Sequence, residues 1–148
     1  LWAESSVTFE GEYHTLDGVG ITPLPVQKPI PIWFGGQADA TLRRVAKMGD
    51  GWMTNPDHVN LETAPALFEK LYDYVEAAGR KREEVGIDVV GVKITEKRDW
   101  GRVVQTYRDL GATHLNGITM DAGLSKPQDH IDTIRRFKEQ LLEIRNNL

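Results

Sequence analysis

The sequence predicts an α/β fold in which parallel β-strands alternate with α-helices. Apolar runs without polar alternation, typical of strands buried on both faces, are followed by stretches with a helical period. Glycines stand where several of these helices would end, at Gly49, Gly79 and Gly111. Four strand-then-helix units follow residue 28, and such a series gives parallel strands joined by right-handed crossovers.

The composition argues against several functional classes. The 148 residues are 40% hydrophobic and 27% charged, which is ordinary for one soluble domain. The net charge of -4 gives no support to nucleic-acid binding, and no apolar run approaches the length of a membrane span. The absence of cysteine excludes disulfides and thiolate sites, and it suits a reducing, cytoplasmic environment.

Residues 1–28 precede the regular part of the chain. Leu1 and Trp2 stand at the terminus without an initiator Met or a helix start signal, so we expect a fragment of a longer polypeptide, with ordinary processing or a trimmed tag as the alternative. Val7 to His14 predicts a short hairpin. The Gly and Pro clusters of residues 17–29 then predict a loop.

The first strand-then-helix unit starts at Pro29. Two prolines fix an extended approach to the apolar run 32–34, which predicts a strand covered on both faces. Leu42, Val45 and Ala46 then share one face of a predicted helix that ends at Gly49.

Three further units follow with the same pattern. The predicted strands cover residues 51–54, 87–94 and 113–120. The predicted helices bury apolar stripes, and Asp99 caps the second of them. Their stripe residues are Leu67, Leu71, Tyr74, Val75 and Ala78; Val103, Val104, Tyr107 and Leu110; and Ile131, Ile134, Phe137, Leu141 and Leu142.

Two architectures fit this count of strands. One is a four-stranded open sheet, and the other is half of an eight-stranded (β/α) barrel. Half a barrel exposes two strand edges and one face of its sheet, so it needs a missing half or a second copy.

Ligands of parallel α/β folds bind at the carboxyl ends of the strands. That rule selects, in the order of the four strands, Phe34, Gly35 and Gly36; Met53, Thr54 and Asn55; Ile94 and Thr95; and Thr119, Met120 and Asp121. A glycine pair there has two interpretations: it lets the backbone approach a planar ring or a phosphate, or it makes a tight turn with positive φ. The pattern is neither a P-loop nor a dinucleotide fingerprint.

No catalytic set or metal site is predicted from the remaining polar residues. The four histidines are too far apart in sequence for a helical zinc site. His114 and Asn116 alternate on one strand face and are expected to form a satisfied buried pair. Asp50 and Trp52 are expected to be structural, because they precede or begin a strand rather than end one.

The stretch "KPIPIWFGGQADATLRRVAKMGDGWM" resembles the luciferase-like monooxygenase family, in particular its branch that uses the deazaflavin coenzyme F420. "LWAESSVTFEGEYHTLDG" upstream and "GATHLNGITMD" downstream resemble the same family. The order of these motifs fits from Leu1 to about Leu142, which is nearly the whole chain.

This resemblance implies the C-terminal half of a (β/α)8 TIM barrel, with a lead-in over 1–28 and four β/α units over 29–148. It also implies a cofactor, F420 or alternatively FMN. Phe34, Gly35 and Gly36 would face the ring, Thr54 would lie near the ribityl-phosphate tail, and Gln37 would stand at the helix start.

The implied chemistry is hydride transfer between the cofactor and a small organic substrate. The family's catalytic residues come largely from the N-terminal half, so the resemblance assigns none to this chain. A basic residue is typical after the second strand in members that act on sugar phosphates, and Pro56-Asp57 at that place argues against such a substrate. The expected partner is a second copy or the missing half-barrel. A non-catalytic self-associating half-barrel and a small flavodoxin-like flavin-binding domain are the alternatives.

Overall fold

A computed structural model describes residues 1–55, 57–95 and 97–147. The chain divides into two units, Leu1–Ile32 and Trp33–Leu148. In the first unit, strands β1 (Val7–Glu10) and β2 (Thr15–Val19) pair antiparallel, as the predicted hairpin requires, although β2 extends into the predicted loop. Side chains of this unit, including Trp2, line an apolar cavity of about 600 Å³.

The second unit is a four-stranded parallel sheet with interleaved helices. Its strands are β3 (Trp33–Gly35), β4 (Gly51–Met53), β5 (Gly86–Lys93) and β6 (His114–Ile118), in that spatial order. The helices are α1 (Asp39–Met48), α2 (Ala64–Ala77), α3 (Trp100–Asp109) and α4 (Pro127–Asn147). The predicted alternation of parallel strands and helices is confirmed.

The ends of the helices are fixed largely by the residues that the sequence indicates. Gly49 donates its N–H to the Val45 carbonyl after α1, with extended rather than left-handed backbone. Gly79 and Gly111 have φ of 76° and 93°, in the left-handed region that favours glycine. Asp99 caps α3 by accepting a hydrogen bond from the Arg102 N–H.

One hydrophobic core lies between the sheet and the helices. Trp52, Ile87 and Val89 point into it from the strands and are completely or almost completely buried. The predicted stripe of α2 is partly wrong: Phe68 and Tyr72 are buried, while Ala78 is exposed. The reason is tertiary: the Phe68 ring packs edge to face against Trp52 of β4, and the Tyr72 hydroxyl donates a hydrogen bond to the Leu110 carbonyl.

The predicted stripe of α4 is also only partly buried. Ile131 and Ile134 are exposed, whereas Phe137 packs against the core and Thr133 is buried. None of the described helices is long and apolar enough to cross a membrane.

Side chains on the opposite face of the sheet are partly open, because no described helix of this unit covers that face. The Trp33 indole lies across this face, since a Cβ on Gly51 or Gly86 would come within 2.3 or 2.6 Å of it. The indole and the His114 ring pack edge to face, with their ring centres 5.4 Å apart. His114 and Asn116 are exposed, so the predicted buried pair is wrong, because burial there would require a second layer on this face.

Strand β5 contains a bulge that reverses the direction of its later side chains. The register with β6 shifts between Val89 and Val92, and Gly91 has φ of 81°. Val92 packs against the core and Ile94 is buried, so Lys93 between them lies on the exposed face.

Candidate functional site at the carboxyl ends of the strands

The carboxyl ends of the four parallel strands form one edge of the sheet. Gly35, Met53, Lys93 and Ile118 end the strands in spatial order. Neighbouring strands are about 4.8 Å apart, so the ends of β3 and β5 are separated by about 10 Å. Such an edge is the usual ligand site of this architecture.

The two glycines after Phe34 have different structural roles. A Cβ added to Gly35 would meet nothing within 4 Å, so this residue leaves open space beside the strand end. Gly36 has φ of 106°, a conformation that side chains rarely adopt. Both interpretations of the pair therefore apply, one to each glycine: Gly35 permits close approach, and Gly36 makes the turn.

The turn at Gly36 is held in place by a buried side chain. Trp52 is fully buried in the core, as predicted, and its indole N–H donates a hydrogen bond of 2.6 Å to the Gly36 carbonyl. Gln37 follows, half-buried, and α1 begins two residues later. The backbone that follows the open space is therefore fixed.

Phe34 contributes to this edge only through its backbone. Its ring packs on the helix side, against the core, with the Arg44 guanidinium 5.9 Å from the ring centre. Side chains alternate along a strand, so Trp33 and Gly35 occupy the opposite face. Phe34 can therefore face a ligand at this edge through its backbone, and its role in cofactor binding stays a prediction.

Thr54 is part of the sheet rather than of an open surface. Its side chain is buried, and its hydroxyl accepts a hydrogen bond of 3.1 Å from the Val90 N–H. The Thr54 N–H donates to the Asp88 carbonyl at 2.9 Å. These contacts extend the pairing of β4 with β5, so Thr54 has a structural role, and its predicted contact with a cofactor tail stays a prediction.

A cavity of about 460 Å³ lies over the ends of β5 and β6. Its lining includes Lys93 from β5, Asp57 from the loop after β4, and Asp121 from the turn after β6. Asp121 has φ of 54°, in the left-handed region that aspartate tolerates better than most residues. Pro56, named in the sequence-based argument against sugar phosphates, lies outside the described residues.

The charges of this cavity are mixed. Lys93 makes no ion pair within the described part of the chain. Tyr107 also lines the cavity; burial raises the pKa of its phenol, while the positive charge of Arg98 acts in the opposite direction. Tyr107 is therefore neutral near pH 7 and can donate a hydrogen bond.

Sequence reasoning missed Lys93 as a residue of this edge. The signal was present, because a glycine inside a β-branched strand suggests a bulge, and a bulge changes which side chains face the site. Within residues 1–55, 57–95 and 97–147, no three His, Cys, Asp or Glu side chains are grouped as a metal site.

The family model described as luciferase-like monooxygenase matches residues 1–99. An F420-dependent glucose-6-phosphate dehydrogenase of Nakamurella multipartita is 32% identical over 127 residues, which are 86% of this chain and 37% of that protein. An uncharacterized protein of Mycobacterium tuberculosis is 53% identical over 110 residues, which are 68% of this chain and 36% of that protein.

Among solved structures, the coenzyme F420-dependent tetrahydromethanopterin reductase of Methanopyrus kandleri has a similar fold. The TM-score is 0.62 at 12% identity, and the match covers 90% of this chain and 57% of the reductase. The chain thus spans somewhat more than a third of these two curated relatives' length and just over half of the reductase. This agrees with the predicted fold class, half of a (β/α)8 barrel.

Proposed function

The chain belongs to the luciferase-like monooxygenase family, and on this basis we propose that it is the C-terminal half of an F420-dependent oxidoreductase. The proposed reaction is transfer of a hydride between the deazaflavin and an organic substrate held near contact distance in a dry pocket. Curated relatives that are F420-dependent dehydrogenases support F420 over the alternative, FMN.

The observation that carries the proposal is the open space beside Gly35. A planar ring can approach a strand end only where no Cβ is in the way, and Gly35 meets that condition. The fixed turn at Gly36, with Gln37 after it, would border the ring, and Phe34 would contribute backbone groups. A contact between Thr54 and the ribityl-phosphate tail would require its buried hydroxyl to become accessible.

Catalysis in this proposal needs residues that the chain does not supply. The exposed sheet face would be covered by the other four β/α units of a barrel, which would also close the pocket against water. One polar atom supports such a cover: Asp88 Oδ1 is buried and has no hydrogen-bond partner among the described residues. Buried carboxylate oxygens are normally hydrogen-bonded, so the cover would bring a donor to Asp88.

The test is titration of F420 into the 148-residue chain, with FMN titrated in parallel. We expect saturable binding of F420, stronger than that of FMN, and at least about a ten-fold loss of affinity in Gly35→Leu, because the new side chain occupies the space for the ring. Asp73→Leu on the exposed surface of α2 is the matched control and should bind F420 like the unmodified chain. Equal binding by all three chains would exclude a cofactor at Gly35.

A non-catalytic, self-associating half-barrel is the second candidate. Partial exposure of the open sheet face favours it, since Met53 is 40% exposed and His114 and Asn116 are also open. Light-scattering mass after size exclusion, with absorbance between about 350 and 450 nm on the same peak, separates the candidates. A colourless dimer after incubation with F420 supports self-association, and a coloured species supports the cofactor site.

The substrate of the proposed enzyme is a separate question. The relatives named glucose-6-phosphate dehydrogenases suggest a sugar phosphate, whereas the strand-end cavity offers a phosphate dianion no net positive charge, because Asp57 and Asp121 offset Lys93 and Arg98. We therefore expect glucose 6-phosphate not to bind at this cavity. A titration whose affinity is unchanged by Lys93→Met would agree with that expectation.

A further inference from the structure

A second polar cavity lies between α3 and α4, beside the loops that follow β5 and β6. Its volume is about 490 Å³. We propose that it binds a small phosphomonoester, whose phosphate contacts basic side chains while its organic part contacts an aromatic wall. The cavity is called the Arg136 cavity here and is formed chiefly by Lys97, Arg98, Trp100, Thr133, Arg136 and Phe137.

The electrostatic character of the Arg136 cavity differs from that of the whole chain. Three cations line it, and none of its described lining residues is Asp or Glu, although the chain carries a net charge of -4. Lys97 and Arg136 face one space with no acidic residue in its described lining, so an anion between them would offset their mutual repulsion. A doubly charged phosphate offsets this repulsion better than a singly charged carboxylate does.

Arg136 retains hydrogen-bonding capacity in this cavity. Its Nη2 donates to the Thr133 hydroxyl at 3.0 Å, and Thr133 is buried, so one end of the guanidinium is held in place. A guanidinium has five N–H donors, and the described residues accept only this bond from Arg136. Arg135, the preceding residue, instead pairs with Asp132 at 3.2 Å.

Lys97 supplies a second available cation. Its ammonium makes no hydrogen bond or ion pair within the described part of the chain. Lys97 stands on the loop between β5 and α3, whereas Arg136 stands on α4, so the two charges approach the cavity from different elements. An anion between them would connect these elements.

The apolar wall indicates more than an inorganic ion as the ligand. Trp100 and Phe137 pack edge to face with ring centres 4.7 Å apart, and both line the cavity. The Arg98 guanidinium lies 5.5 Å from the Trp100 ring centre, so charge and aromatic surface adjoin each other. A phosphate on an organic body can contact both surfaces at once.

The position of the Arg136 cavity is physically reasonable for phosphate. In (β/α)8 barrels, the loops after the last two strands frequently form phosphate sites. In this chain the corresponding loops follow β5 and β6, and both contribute to the cavity. Phosphate binding at the Arg136 cavity does not depend on F420 binding, because none of the six residues that chiefly form this cavity belongs to the proposed ring site.

The experiment is calorimetric titration of phenyl phosphate, with phenol and benzoate as comparison ligands, into the 148-residue chain. Arg136→Met removes the charge and keeps much of the aliphatic side chain. Arg135→Met is its matched control on the same helix. Lys97→Gln is a second test in a loop, where loss of the charge does not disturb a helix. Far-UV circular dichroism of each variant establishes that it is folded.

We expect phenyl phosphate to bind with a Kd of about 1 mM or lower, benzoate more weakly, and phenol not at all. Arg136→Met should weaken phenyl phosphate at least about ten-fold, because it removes charge-assisted hydrogen bonds, and Lys97→Gln should weaken it less. Arg135→Met should leave the affinity unchanged. Absence of saturable binding, equal binding of benzoate, or equal losses in Arg135→Met and Arg136→Met would overturn the proposal.

The titration also separates the two sources of phosphate. Loss of phenyl phosphate binding in Arg136→Met with unchanged F420 affinity identifies a separate phosphomonoester site. Parallel loss of both ligands would mean that the cavity holds the phosphate-bearing tail of the cofactor, and it would overturn the separate site. If F420 does not bind to the unmodified chain, loss of phenyl phosphate binding in Arg136→Met still supports the phosphomonoester site.

Discussion

The two ends of the exposed sheet face use glycine in opposite ways. At the amino ends of the strands, Gly51 and Gly86 lack side chains so that the Trp33 indole can lie across them. At the carboxyl ends, Gly35 lacks a side chain and the space beside it is empty. One end is therefore closed by the protein's own aromatic ring, and the other end can accept the ring of a ligand. Under the proposed function, this difference would confine the cofactor site to one end of the sheet.

The largest effect on stability is expected from adding a side chain at Gly51, at the amino ends of the strands. In Gly51→Val the new Cβ would lie 2.3 Å from the indole of Trp33, so either the ring or the strand must move. We expect the free energy of unfolding to fall by about 3 kcal/mol, measured by urea denaturation.

The control for Gly51→Val is the same substitution at the open end. Gly35→Val should change stability by no more than about 0.5 kcal/mol, because its Cβ meets nothing and valine suits a strand. Adding Trp33→Ala to Gly51→Val should recover part of the lost stability by making room. Equal losses at Gly51 and Gly35 would contradict the distinction between the two ends.

Arg80 stabilises the connection between α1 and β4, at the amino ends of the strands. Its Nη1 donates to the carbonyls of Gly49, Ala46 and Val45 at 2.8, 3.1 and 3.3 Å, where α1 ends and leads into β4. Arg80→Met should lower the free energy of unfolding by about 2 kcal/mol, because it leaves part-buried carbonyls without their charged donor.

Arg44→Met is the matched control for Arg80, since Arg44 is exposed on α1 with its guanidinium 5.9 Å from the centre of the Phe34 ring. It should change thermal stability much less than Arg80→Met. If the two melting temperatures fall equally, the carbonyl contacts of Arg80 are not what holds the end of α1.

Trp52 fixes the turn at Gly36, at the carboxyl ends of the strands, so its replacement should affect F420 binding as well as stability. Trp52→Phe deletes the hydrogen bond to the Gly36 carbonyl and should destabilise the chain by about 1.5 kcal/mol. We also expect weaker F420 binding, because the turn beside Gly35 becomes less ordered. Phe68→Leu, a change in the same core, is the control and should lower stability without changing the affinity for F420. If both variants bind F420 like the unmodified chain, the turn at Gly36 does not contribute to F420 binding.

The smallest effect concerns pH and the start of α1. Lys70, Tyr74 and Arg43 all donate to the Asp39 carboxylate and hold its pKa well below the usual value of 3.8. Because the folded-state pKa is lowered, the stabilisation is complete above the unfolded value and is lost as pH falls below it. Urea denaturation between about pH 3 and pH 5 should show a small loss that Asp39→Asn lacks. An identical pH profile in Asp39→Asn would contradict this assignment.

Much of the fold could be predicted because it depends on local sequence. Gly79 and Gly111 end helices, Asp99 caps one, and Gly36 makes the turn after Phe34, each through the conformational preferences of its own residue type. The strand and helix order follows from the apolar pattern.

The features that were not predicted depend on tertiary contacts. The sequence does not state that the Trp33 ring spans two neighbouring strands, because Gly51 and Gly86 are far from it in sequence. The exposure of His114 depends on whether a second layer covers the sheet face. The residues of β6 alone do not determine whether such a layer is present. The direction of the Phe34 ring follows from strand alternation, once Trp33 is known to lie on the open face.

The bulge at Gly91 has a consequence for how the chain can change by mutation. Side chains of β5 alternate, and the extra residue inverts their order, which places Lys93 at the strand-end cavity and Ile94 in the core. Loss of a single codon there would exchange the two, burying an ammonium and presenting an isoleucine to the ligand. A one-residue deletion is thus a larger evolutionary step at this site than most substitutions, and homologues that lack the bulge should carry a different charge pattern at residues 93 and 94.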